Sequence, residues 1–214
     1  MKYDSVLFDL DGTLWDATQA ISYSWAKALE GEPDIPAPPT TAELEQVMGM
    51  TAEDLTAALF PHLSLERRME LFDKCCQVEC EYLTAHGGRL YPGILEVLEA
   101  LSQKVPLCIV SNCNIEYIPS FLAGHQLHAY FKDWECIGRT GLSKQAGKGD
   151  LWLHTQKIHG SHVILWTEGR TPDAGSIEEA ARLAGIPFLH AAYGFGKVEG
   201  APELRSPLEL LDLV

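Results

Sequence analysis

The sequence predicts an α/β protein: a parallel sheet covered by helices on both faces, interrupted early by a helical insert. Three observations predict it. Short apolar runs recur along the chain, helical segments separate most of them, and no comparable run appears between Asp16 and about Ala85. Buried parallel strands read as continuous apolar stretches and need helical crossovers, so alternation of the two argues for a sheet with both faces covered.

The first run, Val6-Leu7-Phe8-Asp9, ends abruptly in Asp-Leu-Asp-Gly-Thr, as expected of a buried strand delivering polar groups at its carboxyl end. A second, Leu107-Cys108-Ile109-Val110, ends in Ser111-Asn112. It follows Pro92-Gly93 and a predicted helix with apolar residues at 94, 95, 97, 98 and 101. Further strands are expected at Trp134 to Gly138, His162 to Trp166 and Phe188 to Ala191. The intervening segment carries helical spacing at Leu55, Ala58 and Leu59, then at Met69, Leu71, Phe72 and Val78. Its proline run, Gly31 to Pro39, reads as a rigid surface loop, and His86-Gly87-Gly88 marks the return to the sheet. Residues 1–15 and 86–214 are therefore expected to form the core domain and residues 16–85 a helical unit.

With 214 residues, 46% of them hydrophobic, the chain can bury one substantial core. Sixteen Lys and Arg against 30 Asp and Glu give a net charge of −14, which would repel a nucleic acid or an anionic bilayer. There is no apolar run of 18 residues and no secretory leader pattern. The six cysteines show no disulfide framework, since Cys75 and Cys76 are adjacent. The expectation is a cytoplasmic protein, monomer or homodimer, acting on a small molecule.

The chemistry concentrates at the end of the first strand. Asp9 and Asp11 stand two apart and can face the same space, while Gly12 lets the backbone turn tightly beside them. Two such acids repel each other unless a cation or a shared proton relieves them, and Mg²⁺ with oxygen ligands is the usual solution where phosphate is handled. One acid can then serve as nucleophile and the other as proton carrier. An Asp-Gly turn alone would explain Asp11-Gly12, but not Asp9 closing an apolar strand.

Phe8-Asp-Leu-Asp-Gly-Thr-Leu14 resembles the first motif of the haloacid dehalogenase superfamily, in its phosphotransferase branch. Val110-Ser111-Asn112 resembles the second motif, Gly138-Arg-Thr-Gly-Leu-Ser-Lys144 the third, and Tyr91-Pro-Gly-Ile94 and Ala184-Gly-Ile-Pro187 the scaffold turns. The insert is similar to the helical cap of phosphoglycolate phosphatase-like members. The resemblance implies a Rossmann-like core with an inserted α-helical cap and a Mg²⁺-dependent phosphatase of small phosphorylated metabolites. Asp9 would attack phosphorus, and Asp11 would protonate the leaving oxygen and later activate water. Phosphate would be held by Gly12, Thr13, Ser111, Asn112 and Lys144. Dehalogenase members lack the second acid, so Asp11 argues against carbon–halogen chemistry.

The fourth motif, a Gly-Asp after its strand with a second Asp four residues on, is not clean. Counting from Val163 to Trp166 selects Glu168 as the further metal ligand, whereas counting back from Ala184-Gly-Ile186 selects Asp173. Asp173 is preferred, because Asp suits a tight Mg²⁺ shell and Ser176-Ile-Glu-Glu179 then opens a helix as a capping box. The stretch from Gln145 to Thr171 is unlike the family, and its histidines at 154, 159 and 162 have a spacing that suits no common zinc site. Lys148, in a lone Gly-Lys-Gly, is the runner-up to Lys144. Two other readings share this sequence: a phosphosugar mutase on the same scaffold, and a catalytically impaired relative that binds a phospho-ligand or a partner.

Overall fold

The structure, a computed structural model, describes residues 3, 5–142, 162–166, 185–195 and 200–214. Its centre is β1, Ser5–Phe8, every residue of which is buried. It pairs in parallel with β4, Leu107–Ser111, in the register Val6 opposite Leu107, and with β6, His162–Trp166, in the register Val6 opposite Val163. Outside these lie β5, Asp133–Cys136, on one side, and β7, Phe188–Ala191, with β8, Glu203–Leu204, on the other. The strand order is β5-β4-β1-β6-β7-β8, all parallel. β1 and β4, every residue of which is buried, thus lie side by side in the middle of the sheet.

One expectation is corrected in detail. The strand expected to run to Gly138 stops at Cys136, and Ile137–Thr140 forms a helical turn. The cause is local: the Gly138 N–H donates to the Cys113 carbonyl at 3.0 Å, and a Cβ there would lie 2.3 Å from the Ile115 nitrogen. The chain turns toward the loop that follows β4 and cannot stay extended. The helix expected after Gly93 is found as α5, Ile94–Ser102; it buries Ile94, Val97, Leu98 and Leu101 and leaves Leu95 47% exposed. Spacing of three and four selects one face, and Leu95 lies off it. Two short strands carry too little periodicity to be read in sequence: β2, Trp15–Asp16, pairs antiparallel with β3, Arg89–Leu90.

The segment between β2 and β3 is helical. It comprises α1, Thr18–Ala28; α2, Thr41–Val47; α3, Ala52–Leu59; and α4, Leu65–His86. Thr40, Thr51 and Ser64 each cap the following helix by accepting a backbone N–H, and Glu43 completes a capping box with Thr40. The proline-rich loop is surface chain tied down at points: Ile35 is buried, and Arg67 on α4 binds both Glu32 and Asp34. These helices do not form a separate core. Leu44, Phe60, Leu71 and Leu83 belong to one continuous cluster with Phe8, Leu10, Trp15 and Phe121 of the sheet side.

The junction is closest where α4 meets α6, Tyr117–His125. Gly124 faces the backbone of α4, and a Cβ on it would lie 2.3 Å from the Leu83 carbonyl oxygen. Gly124→Ala is therefore expected to destabilise the protein by roughly 1–3 kcal/mol through overpacking, read as a lowered urea midpoint with an unchanged slope.

Candidate active site

In an open parallel sheet, ligands bind beyond the carboxyl ends of the strands, where successive connections diverge to opposite sides. Here that place is the end of β1, from which the chain goes first to β4 and β5 on one side and later to β6, β7 and β8 on the other. The loop there is tightly wound. The Leu10 carbonyl accepts from the N–H groups of Thr13 (3.2 Å) and Leu14 (2.9 Å), and the Gly12 N–H donates to the Trp15 carbonyl at 2.8 Å. Gly12 has φ of +74°, a conformation open to glycine at no steric cost.

A cavity of about 210 Å³ opens on this loop. Asp9 (4% exposed), Asp11, Ser111 and Asn112 line it together, drawn from the ends of β1 and β4. Gly12 and Thr13 shape the loop without lining the cavity; Thr13 is fully buried, and its carbonyl accepts from the Tyr193 hydroxyl at 3.0 Å. Lys144, Glu168 and Asp173 lie outside the described residues, as do Lys148, His154 and His159.

The structure adds partners that the sequence did not suggest. Asp11 Oδ1 accepts two hydrogen bonds, from Trp15 Nε1 at 3.0 Å and from the Tyr117 hydroxyl at 2.8 Å. Trp15 is fully buried, and its ring meets Tyr117, Phe121 and His125 edge-on. Burial first, then the negative charge of Asp11, holds the Tyr117 hydroxyl pKa well above its ordinary value, so it is a protonated donor at neutral pH. Two neutral donors on one oxygen orient the Asp11 carboxyl group without the cost of a buried ion pair. The only sequence signal for Tyr117 is an aromatic at the first turn of the helix after β4, which many cores share.

The opposite wall comes from the helices. Glu79 on α4 is buried and accepts from the Trp25 indole N–H. Burial pushes its pKa up to about 8; the Trp25 bond opposes this and the charge of Asp11 reinforces it. Asn112 reaches across to this side, donating its amide N–H to the Gly49 carbonyl at 3.1 Å. All six cysteines are free thiols. Among the described residues no three of His, Cys, Asp and Glu group to hold a metal. The donors at the strand end are carboxylate and carbonyl oxygens, the type that suits a hard divalent cation such as Mg²⁺. No helix among the described residues is long and apolar enough to cross a membrane.

The fold and its paired acids define an α/β protein with a ligand site at the carboxyl end of its central strand. The chain belongs to the haloacid dehalogenase-like hydrolases, whose family profile matches residues 6–145. It is 30% identical over 141 residues to phosphoglycolate phosphatase from Photobacterium profundum, a match covering 60% of this chain and 58% of that protein. It is 25% identical over 196 residues to phosphoglycolate phosphatase from Rhodobacter capsulatus, covering 90% and 86%. Among solved structures it is similar to a haloacid dehalogenase-like family hydrolase from Streptococcus pneumoniae. That match has a TM-score of 0.77 at 21% identity, covering 99% of this chain and 98% of the other. A hydrolase from Pseudomonas syringae gives 0.72 at 22% identity, covering 98% and 96%. The family match ends at residue 145, and the match to the Rhodobacter capsulatus protein continues beyond it.

Glu79 yields a stability prediction with a definite sign. Its pKa of about 8 in the folded protein exceeds the ordinary 4.5, so its contribution is complete below pH 4.5 and is lost as pH rises toward 8. Glu79→Gln keeps an acceptor for Trp25 and removes the titration. Relative to wild type, the variant is expected to gain at least about 1 kcal/mol of stability between pH 5 and pH 8, measured by urea unfolding at the two pH values.

Proposed function

We propose that this chain is a Mg²⁺-dependent phosphatase of small phosphorylated metabolites, working through an aspartyl-phosphate. The observation that carries this reading is the convergence of Asp9, Asp11, Ser111 and Asn112 on one cavity at the end of the central strand. An Asp carboxylate beside a second acid is the residue pair that double displacement at phosphorus requires.

In this reading a carboxylate oxygen of Asp9 attacks phosphorus and the bond to the leaving oxygen breaks, with Asp11 supplying the proton. A water molecule, deprotonated by Asp11, then attacks the phosphorus of the aspartyl-phosphate, releasing inorganic phosphate and regenerating Asp9. Trp15 and Tyr117 hold the Asp11 carboxyl group in place for both transfers. The Ser111 hydroxyl and the Asn112 backbone N–H would donate to a phosphoryl oxygen, Gly12 and Thr13 wind the loop that sets Asp11 beside it, and Lys144 would neutralise the developing charge. When bound, Mg²⁺ would offset the negative charge of phosphate and acids. It would be held by Asp9 and the Asp11 carbonyl, with Asp173 or Glu168 completing the set. Helices α1–α4 serve as a cap that keeps water from the acyl phosphate.

The test is turnover of an aryl phosphate with Mg²⁺. Asp9→Asn is expected to lower kcat at least about a thousandfold with an unchanged unfolding midpoint, because an amide cannot attack phosphorus. No turnover by the wild-type chain at saturating Mg²⁺ would instead favour the impaired, ligand-binding reading. Tyr117→Phe removes one of the two donors to Asp11. It is expected to lower kcat about tenfold and to move KM less than about twofold, with a shifted acidic limb in the pH–rate profile.

A further inference from the structure

The cavity has two unlike halves, and the half away from the strand ends has no assigned occupant. Its wall is built from helices and the turn between α2 and α3: Trp25, Met48, Leu55, Phe72, Cys76 and Glu79 face it. These are carbon and sulfur surfaces except for Glu79, whose carboxyl group is already bonded to the Trp25 N–H. No Lys, Arg or His lines the cavity among the described residues, although three cations lie on α4. Arg67 is committed to Glu32, Asp34 and Glu70, Lys74 is committed to Glu32, and Arg68 does not line the cavity. Among the described residues the ionisable groups that line it are Asp9, Asp11, Glu79, Cys76, Cys113 and Tyr117, none of them a cation.

A second anion brought into this half would be stripped of water against carbon and sulfur surfaces and the Glu79 carboxyl group, with no described cation to pair it. Burying an unpaired carboxylate is among the costliest things a binding site can do. An apolar group meets no such penalty.

We propose that this half of the cavity receives an uncharged, largely apolar alcohol portion of a phosphomonoester and discriminates against alcohols that carry a carboxylate. The inference rests on the phosphatase reading for the placement of the phosphate end. It sets this chain apart from its relatives in substrate, since glycolate, the alcohol in the name of the phosphoglycolate phosphatases, carries a carboxylate.

The experiment compares benzylphosphonate with phosphonoacetate, two non-hydrolysable ligands that share the CH₂–phosphonate end and differ in what the far half of the cavity would hold. Calorimetric titration of the full chain with Mg²⁺ is expected to give at least tenfold tighter binding for benzylphosphonate. Equal affinities, the reverse order or no binding of either overturns the proposal. Leu55→Arg, or Met50→Arg should the first variant not fold, places a cation in the wall and is expected to narrow the ratio below threefold; an unchanged ratio also overturns it. Turnover of benzyl phosphate and 2-phosphoglycolate separates the two readings. Faster turnover of phosphoglycolate defeats the substrate inference and leaves the phosphatase. Ordered phosphonate binding with no turnover of either ester defeats the phosphatase and leaves the pocket preference.

Discussion

Everything at this site depends on keeping two carboxyl groups close together in a nearly buried place, and Trp15 is the residue that makes this possible. Its carbonyl accepts from Gly12 and its indole N–H donates to Asp11, so one side chain and its own backbone close the loop that carries both acids. Its ring is packed by Tyr117, Phe121 and His125 of α6, and Gly88 lies so near that a Cβ would come within 2.8 Å of the ring. The orientation of Asp11 is thus fixed by the packing of a large aromatic group, whose contacts are many and individually weak. A carboxyl group held this way keeps one oxygen fixed by two neutral donors, and its position does not depend on what enters the cavity.

The parts of this molecule that could be read in its sequence are those where one physical demand dominates. Val6 to Phe8 and Leu107 to Val110 are buried on both faces, so an unbroken apolar run is their only solution, and Asp9 after such a run has no structural reason to be there. Leu95 is apolar yet half exposed, because helical geometry turns it away from the face that carries Ile94, Val97, Leu98 and Leu101. The pairing of Trp15–Asp16 with Arg89–Leu90 involves two residues a side, too few for any period to show. Tyr117 and Glu79 are hidden for a different reason. Tyr117 meets Asp11 across 106 positions of sequence and Glu79 meets Trp25 across 54, and nothing local in either neighbourhood encodes the encounter. The roles of Lys144, Glu168 and Asp173 stay expectations from motif spacing, lying outside the described residues.

Helix α4 has 22 residues, and an α-helix of that length is a rod of about 33 Å. One end is clasped by Arg67 to the loop bearing Glu32 and Asp34; near the other, Leu83 bears directly on Gly124. Phe72, Cys76 and Glu79 are spaced along one side of that rod, on the cavity. They cannot yield one at a time, because the helix hydrogen bonds between them make the span stiff. That side of the cavity is therefore one stiff wall, anchored near its two ends by groups that do not themselves line the cavity.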